Sequence, residues 1–316
     1  MGGLRLEVKV KCDLKLPLLM TASVSTRGMK GACFSDEERE QMYLETLRYY
    51  LETLPEDQPI VFADNSGWDL GRFRRLLEGE GVGVVERCSE EGNASSAPTP
   101  TPAPTSTPAS QSRVEFLSID PSICDQSRGK GYNEILLMNA VVERSELIKK
   151  AGAFMKVTGR YPIYNLPRFL KGAQAWIAKG GRYYGDMKDH KVFDWLCKDT
   201  NKWNGHAAYT VLFATTVEFY KEKLAGSYRD CNDYTNQWIE VVWYRILAPY
   251  RRSLKVEVGS EKCGVKLRLP VEPVCGGFQG SERQTVMASQ SNESAKAKLA
   301  RFVGNCIRTF MPWFWF

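Results

Sequence analysis

Two short apolar runs, LPLLMTASV at 16–24 and PIVFADNS at 59–66, stand on either side of a stretch with helical spacing, and that order constrains the fold more than any other feature of the chain. Each run is too short for a buried helix, and unbroken apolarity marks a strand covered on both faces. Between them Ser35 and Glu38 form a capping box, while Tyr43, Leu47, Tyr50, Leu51 and Leu54 share one helical face before Pro55 ends the element. After the second run, Ser66 and Asp69 are expected to open another helix with Leu70, Phe73, Leu76 and Leu77 turned inward. Strand, helix, strand, helix builds a parallel sheet with helices on its faces. An α/β fold is therefore predicted, with a mostly parallel, Rossmann-like sheet flanked by helices.

Further strands are expected at 82–86 (VGVVE) and 114–119 (VEFLSI), with an edge strand at 4–10, where apolar and charged residues alternate. Between Ser89 and Ser112 the composition turns to Ser, Thr, Pro and Ala. Prolines hold such a chain extended and it has nothing apolar to bury, so residues 91–112 read as a disordered insertion. Near the C-terminus, alternating segments at 254–258 and 265–271 flank GSEKCG and read as a small β-hairpin. Residues 1–90 and 113–285 then form one α/β domain, and 286–316 a basic amphipathic tail.

The unit from Gly129 to Asn165, GKGYNEILLMNAVVERSELIKKAGAFMKVTGRYPIYN, says most about function. It reads as a glycine-flanked turn, a helix from Tyr132 to Ala151 with Lys149 and Lys150 at its negative end, and a strand emerging at Lys156, Thr158, Gly159, Arg160 and Tyr161. In open α/β sheets ligands bind beyond the carboxyl ends of strands, so KVTGRY ends where a ligand sits. Lys156 and Arg160 either lie on a solvated strand end or face an anion; with either role they are expected to contact solvent or ligand more than core. The GKG matches neither a P-loop nor G-x-G-x-x-G, which takes support from nucleotide kinase and dinucleotide-binding readings. In WIEVVWYRIL (238–247), Glu240 sits among apolar neighbours. Burial would raise its pKa, as a general base requires; the alternative is a structural carboxylate paired with Arg or Tyr. Asp186 and Asp189 in GDMKDH suit a metal, an acceptor or, as expected here, a solvated loop, and Tyr183 and Tyr184 suit a sugar ring or the core.

Composition narrows the alternatives. The formal charge is +6, from 43 cationic against 37 anionic residues without a Lys/Arg cluster in the folded part, which argues against nucleic-acid binding. Nine cysteines without a C-x-x-C indicate neither a disulfide framework nor a zinc knuckle, and suit a reducing compartment. Two histidines, His190 and His206, leave little material for histidine-based metal or triad chemistry. The apolar run at 16–24 follows three lysines like a short signal peptide, but Thr21 and Ser23 interrupt it and a buried strand is the better reading. The chain has no apolar run of about 18 residues, so no spanning helix is expected.

Taken together, LLMTASVST, VFADNSGWDL, the KGYNE loop, FMKVTGRY and the IE-centred helix resemble the GT-A-type nucleotide-sugar glycosyltransferases of bacterial polysaccharide synthesis, over about residues 16–285. That resemblance implies transfer of a sugar from a nucleotide-sugar donor to a hydroxyl of a saccharide or lipid-linked acceptor. It puts Thr21, Ser23, Asp64 and Asn65 against the donor's base and ribose, Lys130 and Glu134 in the loop before the middle helix, Thr158 beside the donor, and Glu240 as the catalytic carboxylate. Such enzymes hold Mn²⁺ or Mg²⁺ on a D-x-D, and here Lys156-Val-Thr158-Gly-Arg160 stands in its place. Either a metal is held elsewhere or Lys156 and Arg160 neutralise the diphosphate directly; the second, metal-independent course is expected. A non-catalytic sugar-binding or scaffold protein of the same shape is the alternative, and a nucleic-acid-binding protein the second.

In the tail, Leu299, Phe302, Val303, Cys306, Ile307 and Phe310 share one helical face, four basic residues follow Ser294 with no acid, and Pro312-Trp-Phe-Trp-Phe closes the chain. Two readings stay open: a helix lying in a membrane surface, or one capping the core. A cytoplasmic protein, peripheral at the membrane through its tail, is the expectation for the first.

Overall fold

The computed structural model describes residues 15–29, 32–78, 113–189, 206–252 and 264–276, with positions 299, 302, 303, 305–307 and 310 of the tail. Four parallel strands, β1 (Leu18–Ala22), β2 (Ile60–Asp64), β3 (Val114–Ser118) and β4 (Ala153–Thr158), lie in the order β3-β2-β1-β4. Beyond β4 come β8 (Leu212–Thr216), antiparallel to both its neighbours, then β5 (Tyr183–Tyr184), and β9 (Val265–Lys266) parallel to β5. This is a seven-stranded, mostly parallel sheet in an α/β fold, as the alternation of strand and helix implied. A separate antiparallel ribbon pairs β6 (Met187–Asp189) with β7 (His206–Ala208).

Side-chain alternation sends the two halves of each strand to different cores. Leu18, Met20, Ile60, Phe62, Met155 and Val157 pack under α1 (Asp36–Thr53), α2 (Gly71–Arg75) and α5 (Leu166–Ala178). Leu19, Val61, Ala63, Phe154 and Phe213 pack under α3 (Lys130–Arg144), α4 (Glu146–Ala151), the irregular helical run through residues 217–230, and α6 (Ile239–Leu247). The capping box forms as expected. Ser35 Oγ accepts from the Glu38 N–H at 3.1 Å, Glu38 Oε2 accepts from the Ser35 N–H at 2.8 Å, and α1 stops at Leu54.

Several expectations are corrected. The helix expected from Tyr132 to Ala151 is two helices, broken at Ser145. Glu115 on β3 takes the Ser145 hydroxyl at 2.5 Å and the Glu146 N–H at 2.9 Å, while Ser145 Oγ accepts from the Ile148 N–H at 3.1 Å. A local cap and a cross-element carboxylate thus outcompete one more helical turn. The helix after β2 opens at Gly71, not at Ser66, because Ser66 instead donates to Asp64 and accepts from the Ser25 N–H; Leu77 is exposed. The second arm of the expected C-terminal hairpin is β9, which pairs with β5; its first arm, 254–258, lies outside the described residues. So do the expected strands at 4–10 and 82–86 and the insertion at 91–112.

Candidate functional site

The strand order reverses direction of growth between β1 and β4: β1 leads outward to β2 and β3, and the chain then crosses back to add β4 on β1's other side. At such a switch point the flanking loops part, and the carboxyl ends of the two strands frame a ligand position. Thr21 pairs with Thr158 across that seam, and the Gly159 N–H continues the ladder to the Thr21 carbonyl at 3.2 Å. A Cβ on Gly159 would stand 2.8 Å from that carbonyl, so glycine is needed for this approach. Arg160 therefore leaves β4 at the seam.

Three cations gather here. Arg39 of α1 is 6% exposed and donates through Nε to the Ser23 and Val24 carbonyls at 3.0 and 2.9 Å, which seats its charge beneath the loop after β1. Burial, with Arg160 adding to it, holds its pKa below the ordinary arginine value. The Lys130 ammonium is likewise pulled down, first by burial and then by Arg160 and Arg39. Arg160 Nη1 is buried and has no hydrogen-bond partner among the described residues. Like charges repel, so a cationic trio with a buried, unspent N–H suits an anion.

Carboxylates face them. Glu134 on α3 accepts from Thr21 Oγ1 at 3.1 Å and lies 2.5 Å from Lys156 Nζ. Lys156 also donates to the Thr210 carbonyl at 2.8 Å, and Thr210 Oγ1 donates to Glu240 Oε1 at 3.2 Å. Burial pushes the Glu240 carboxyl above the ordinary glutamate range, with repulsion from Glu134 and Asp233 adding to it while its backbone and the Thr210 hydroxyl pull it back. Asp233 accepts the Lys130 and Gly131 N–H groups at 2.6 and 3.3 Å, capping the positive end of α3, and burial raises its pKa too. A Cβ on Gly129 would lie 2.6 Å from Asp233. The GKG of the sequence is thus a close-packing device for a protein carboxylate.

The structure sorts the expected residues. Thr21, Lys130, Glu134, Thr158, Arg160 and Glu240 come together around the seam. Lys156 does not stand on a polar rim: it is 1% exposed, its charge taken by Glu134. Asp64 is 0% exposed and its oxygens accept from Val24 N, Ser66 N and Ser66 Oγ, so it shapes the loop where donor contact was expected. Asn65, buried, accepts from Ser23 Oγ at 2.6 Å and donates to the Asn133 carbonyl, tying β2 to α3. Asp186 and Asp189 are buried, not on a solvated loop: Asp186 accepts the Leu269 N–H, and Asp189 accepts the Tyr244 hydroxyl with His206 Nδ1 at 2.9 Å. Tyr183 and Tyr184 are core, Tyr183 stacking on Phe213.

Sequence reasoning missed Arg39, Thr210 and Asp233. Arg39 had a signal: it stands four residues before Tyr43, on the buried stripe of α1. Thr210 and Asp233 had none, because pairing across elements brings them in. The position once assigned to a D-x-D does not fit a divalent ion, since Arg39, Lys130 and Arg160 offer it positive charge where oxygen ligands are needed. Among the described residues no group of three or more His, Cys, Asp or Glu is placed to hold one.

No known protein-family profile and no curated protein matches the sequence. Among solved structures, Core-mannan synthase A from Aspergillus fumigatus in its Mn/GDP form is similar at 9% identity over 74% of this chain and 69% of that chain, with a TM-score of 0.36. The mannosyltransferase Ktr4p from S. cerevisiae in complex with GDP is similar at 10% identity over 75% and 66%, with a TM-score of 0.35. At that identity and TM-score neither likeness bears on what this chain does.

Proposed function

We propose that the chain is a glycosyltransferase that takes a nucleotide-sugar donor at the β1–β4 seam and transfers its sugar to a hydroxyl of a saccharide or lipid-linked acceptor. One observation carries the reading: at a single switch point a cationic group with an unspent Arg160 N–H meets a partly buried carboxylate, Glu240, of raised pKa. An enzyme that expels a diphosphate needs the first, and one that activates a hydroxyl needs the second. The acceptor oxygen bonds to the anomeric carbon as the bond to the diphosphate oxygen breaks. Glu240 receives the hydroxyl proton, and Arg160 and Lys130 meet the charge left on the nucleoside diphosphate. Thr210 orients Glu240, and the Lys156–Glu134 pair holds β4 against α3.

The test is a melting-temperature panel of nucleoside diphosphates, their sugar conjugates and free sugars, each with and without Mn²⁺. A ligand at about a hundred times its Kd stabilises by about 2.7 kcal/mol, a shift easily read. Nucleoside diphosphates and their sugars are expected to raise the melting temperature without Mn²⁺. Response to free sugar alone would mark a lectin-like binder, and no response to any diphosphate would sink the reading.

A further inference from the structure

We infer that the C-terminal segment is a docking surface for an anionic phospholipid bilayer, a property independent of the proposed chemistry. Positions 299, 302, 303, 305–307 and 310 are helical, and Leu299, Phe302, Val303 and Phe310 are 63, 66, 47 and 74% exposed. At 100° per residue these four fall on one side of the helix, within about a quarter turn of one another. They turn their apolar surface to solvent even with the rest of the described protein present to cover it. Asn305, away from that stripe, accepts the Glu272 N–H at 3.0 Å and so fixes the helix to the body with the stripe outward. A helix that capped the core would bury these residues; this one presents the four, with Cys306 and Ile307 of the same face half-buried.

Charge identifies what covers them. After Glu293 the sequence carries Lys296, Lys298, Arg301 and Arg308 and no acidic residue, so the segment is attracted to a negatively charged surface. Its closing residues, Trp313, Phe314, Trp315 and Phe316, are of the type that settles at the headgroup level of a bilayer. An apolar stripe, a basic complement and aromatic anchors are the three components of a helix that lies in a membrane interface. No helix among the described residues is long and apolar enough to cross one.

Flotation of the whole chain with vesicles of phosphatidylcholine alone, and of phosphatidylcholine with phosphatidylserine, tests this. Binding is expected to the anionic vesicles and to weaken in high salt. The double variant Phe302→Ser with Phe310→Ser, and separately Arg301→Glu with Arg308→Glu, should each reduce binding about tenfold or more at unchanged melting temperature. Absence of binding to anionic vesicles, or equal binding by the variants, overturns the inference. So does a fall in melting temperature of the serine variant, which would mean that the stripe packs on the body. Sedimentation showing a dimer of the unmodified chain that the serine variant loses would assign the stripe to a second copy, against the inference.

Discussion

Lys156 and Arg160 are four residues apart along β4's exit yet differ in what their removal leaves behind. Truncating Lys156 strands Glu134 without its cation and the Thr210 carbonyl without its donor, both next to the core. Breaking a buried pair on one side typically costs about 3–5 kcal/mol, so Lys156→Ala is expected to lower unfolding free energy by about 3 kcal/mol in urea titration. Arg160→Ala leaves no carboxylate behind and should stay within about 1 kcal/mol of the parent while abolishing the melting shift with nucleoside diphosphates. Equal stability losses for the two would contradict their different burial. Glu240 makes a prediction with pH. Its folded-state pKa is raised, so the neutral form is the one folding favours: that stability is present below the ordinary glutamate pKa and is lost as pH rises through the raised value. Glu240→Gln fixes the neutral form. Its melting temperature should match the parent's near pH 4 and exceed it increasingly toward pH 8, while turnover falls about 10²-fold. A constant offset across that range would mean that burial does not perturb this carboxyl.

Elements were legible where local chemistry alone decides them. The capping box, the Pro55 stop, and the apolar runs that became β1, β2 and β3 carry their signals within a few residues. The break at Ser145 carries none, because helical periodicity runs straight through VVERSELIKK and the deciding partner, Glu115, is thirty residues away on β3. Ser145→Ala removes both the cap and a buried bond, and should cost about 1–2 kcal/mol by thermal or urea unfolding. A loss below a few tenths would mean that Glu115 alone sets the break. The α5 helix was readable and went unread: Leu166, Phe169, Leu170 and Ala173 follow helical spacing, with Pro167 in its first turn. By contrast β5 is two residues long and exists only because β8 and β9 offer edges, so no periodicity could have announced it, whereas the alternation at 265–271 did announce β9 and only its partner was missed.

At the scale of the whole molecule, the sequence showed that the sheet would be mostly parallel; it could not show the order β3-β2-β1-β4, since order depends on which crossover turns back. Nor could it show that β8 enters antiparallel beside β4. Because the site draws on residues from Thr21 to Glu240, its parts were findable singly and their meeting was not. The late arrival of β8 has a consequence for the sequence of folding events. The four parallel strands all precede residue 160 and can pair while the rest of the chain is still being made. Lys156, at the rim of that half-sheet, would then hold its charge with one partner only, because the Thr210 carbonyl comes with the segment that adds β8. The same zipping of β8 onto β4 that extends the sheet therefore completes the Lys156 shell and places Thr210 for its bond to Glu240. A half-made chain can have the four parallel strands without the Thr210 contacts; the later pairing of β8 onto β4 supplies the second partner of Lys156 and the hydroxyl that Glu240 meets once its helix follows.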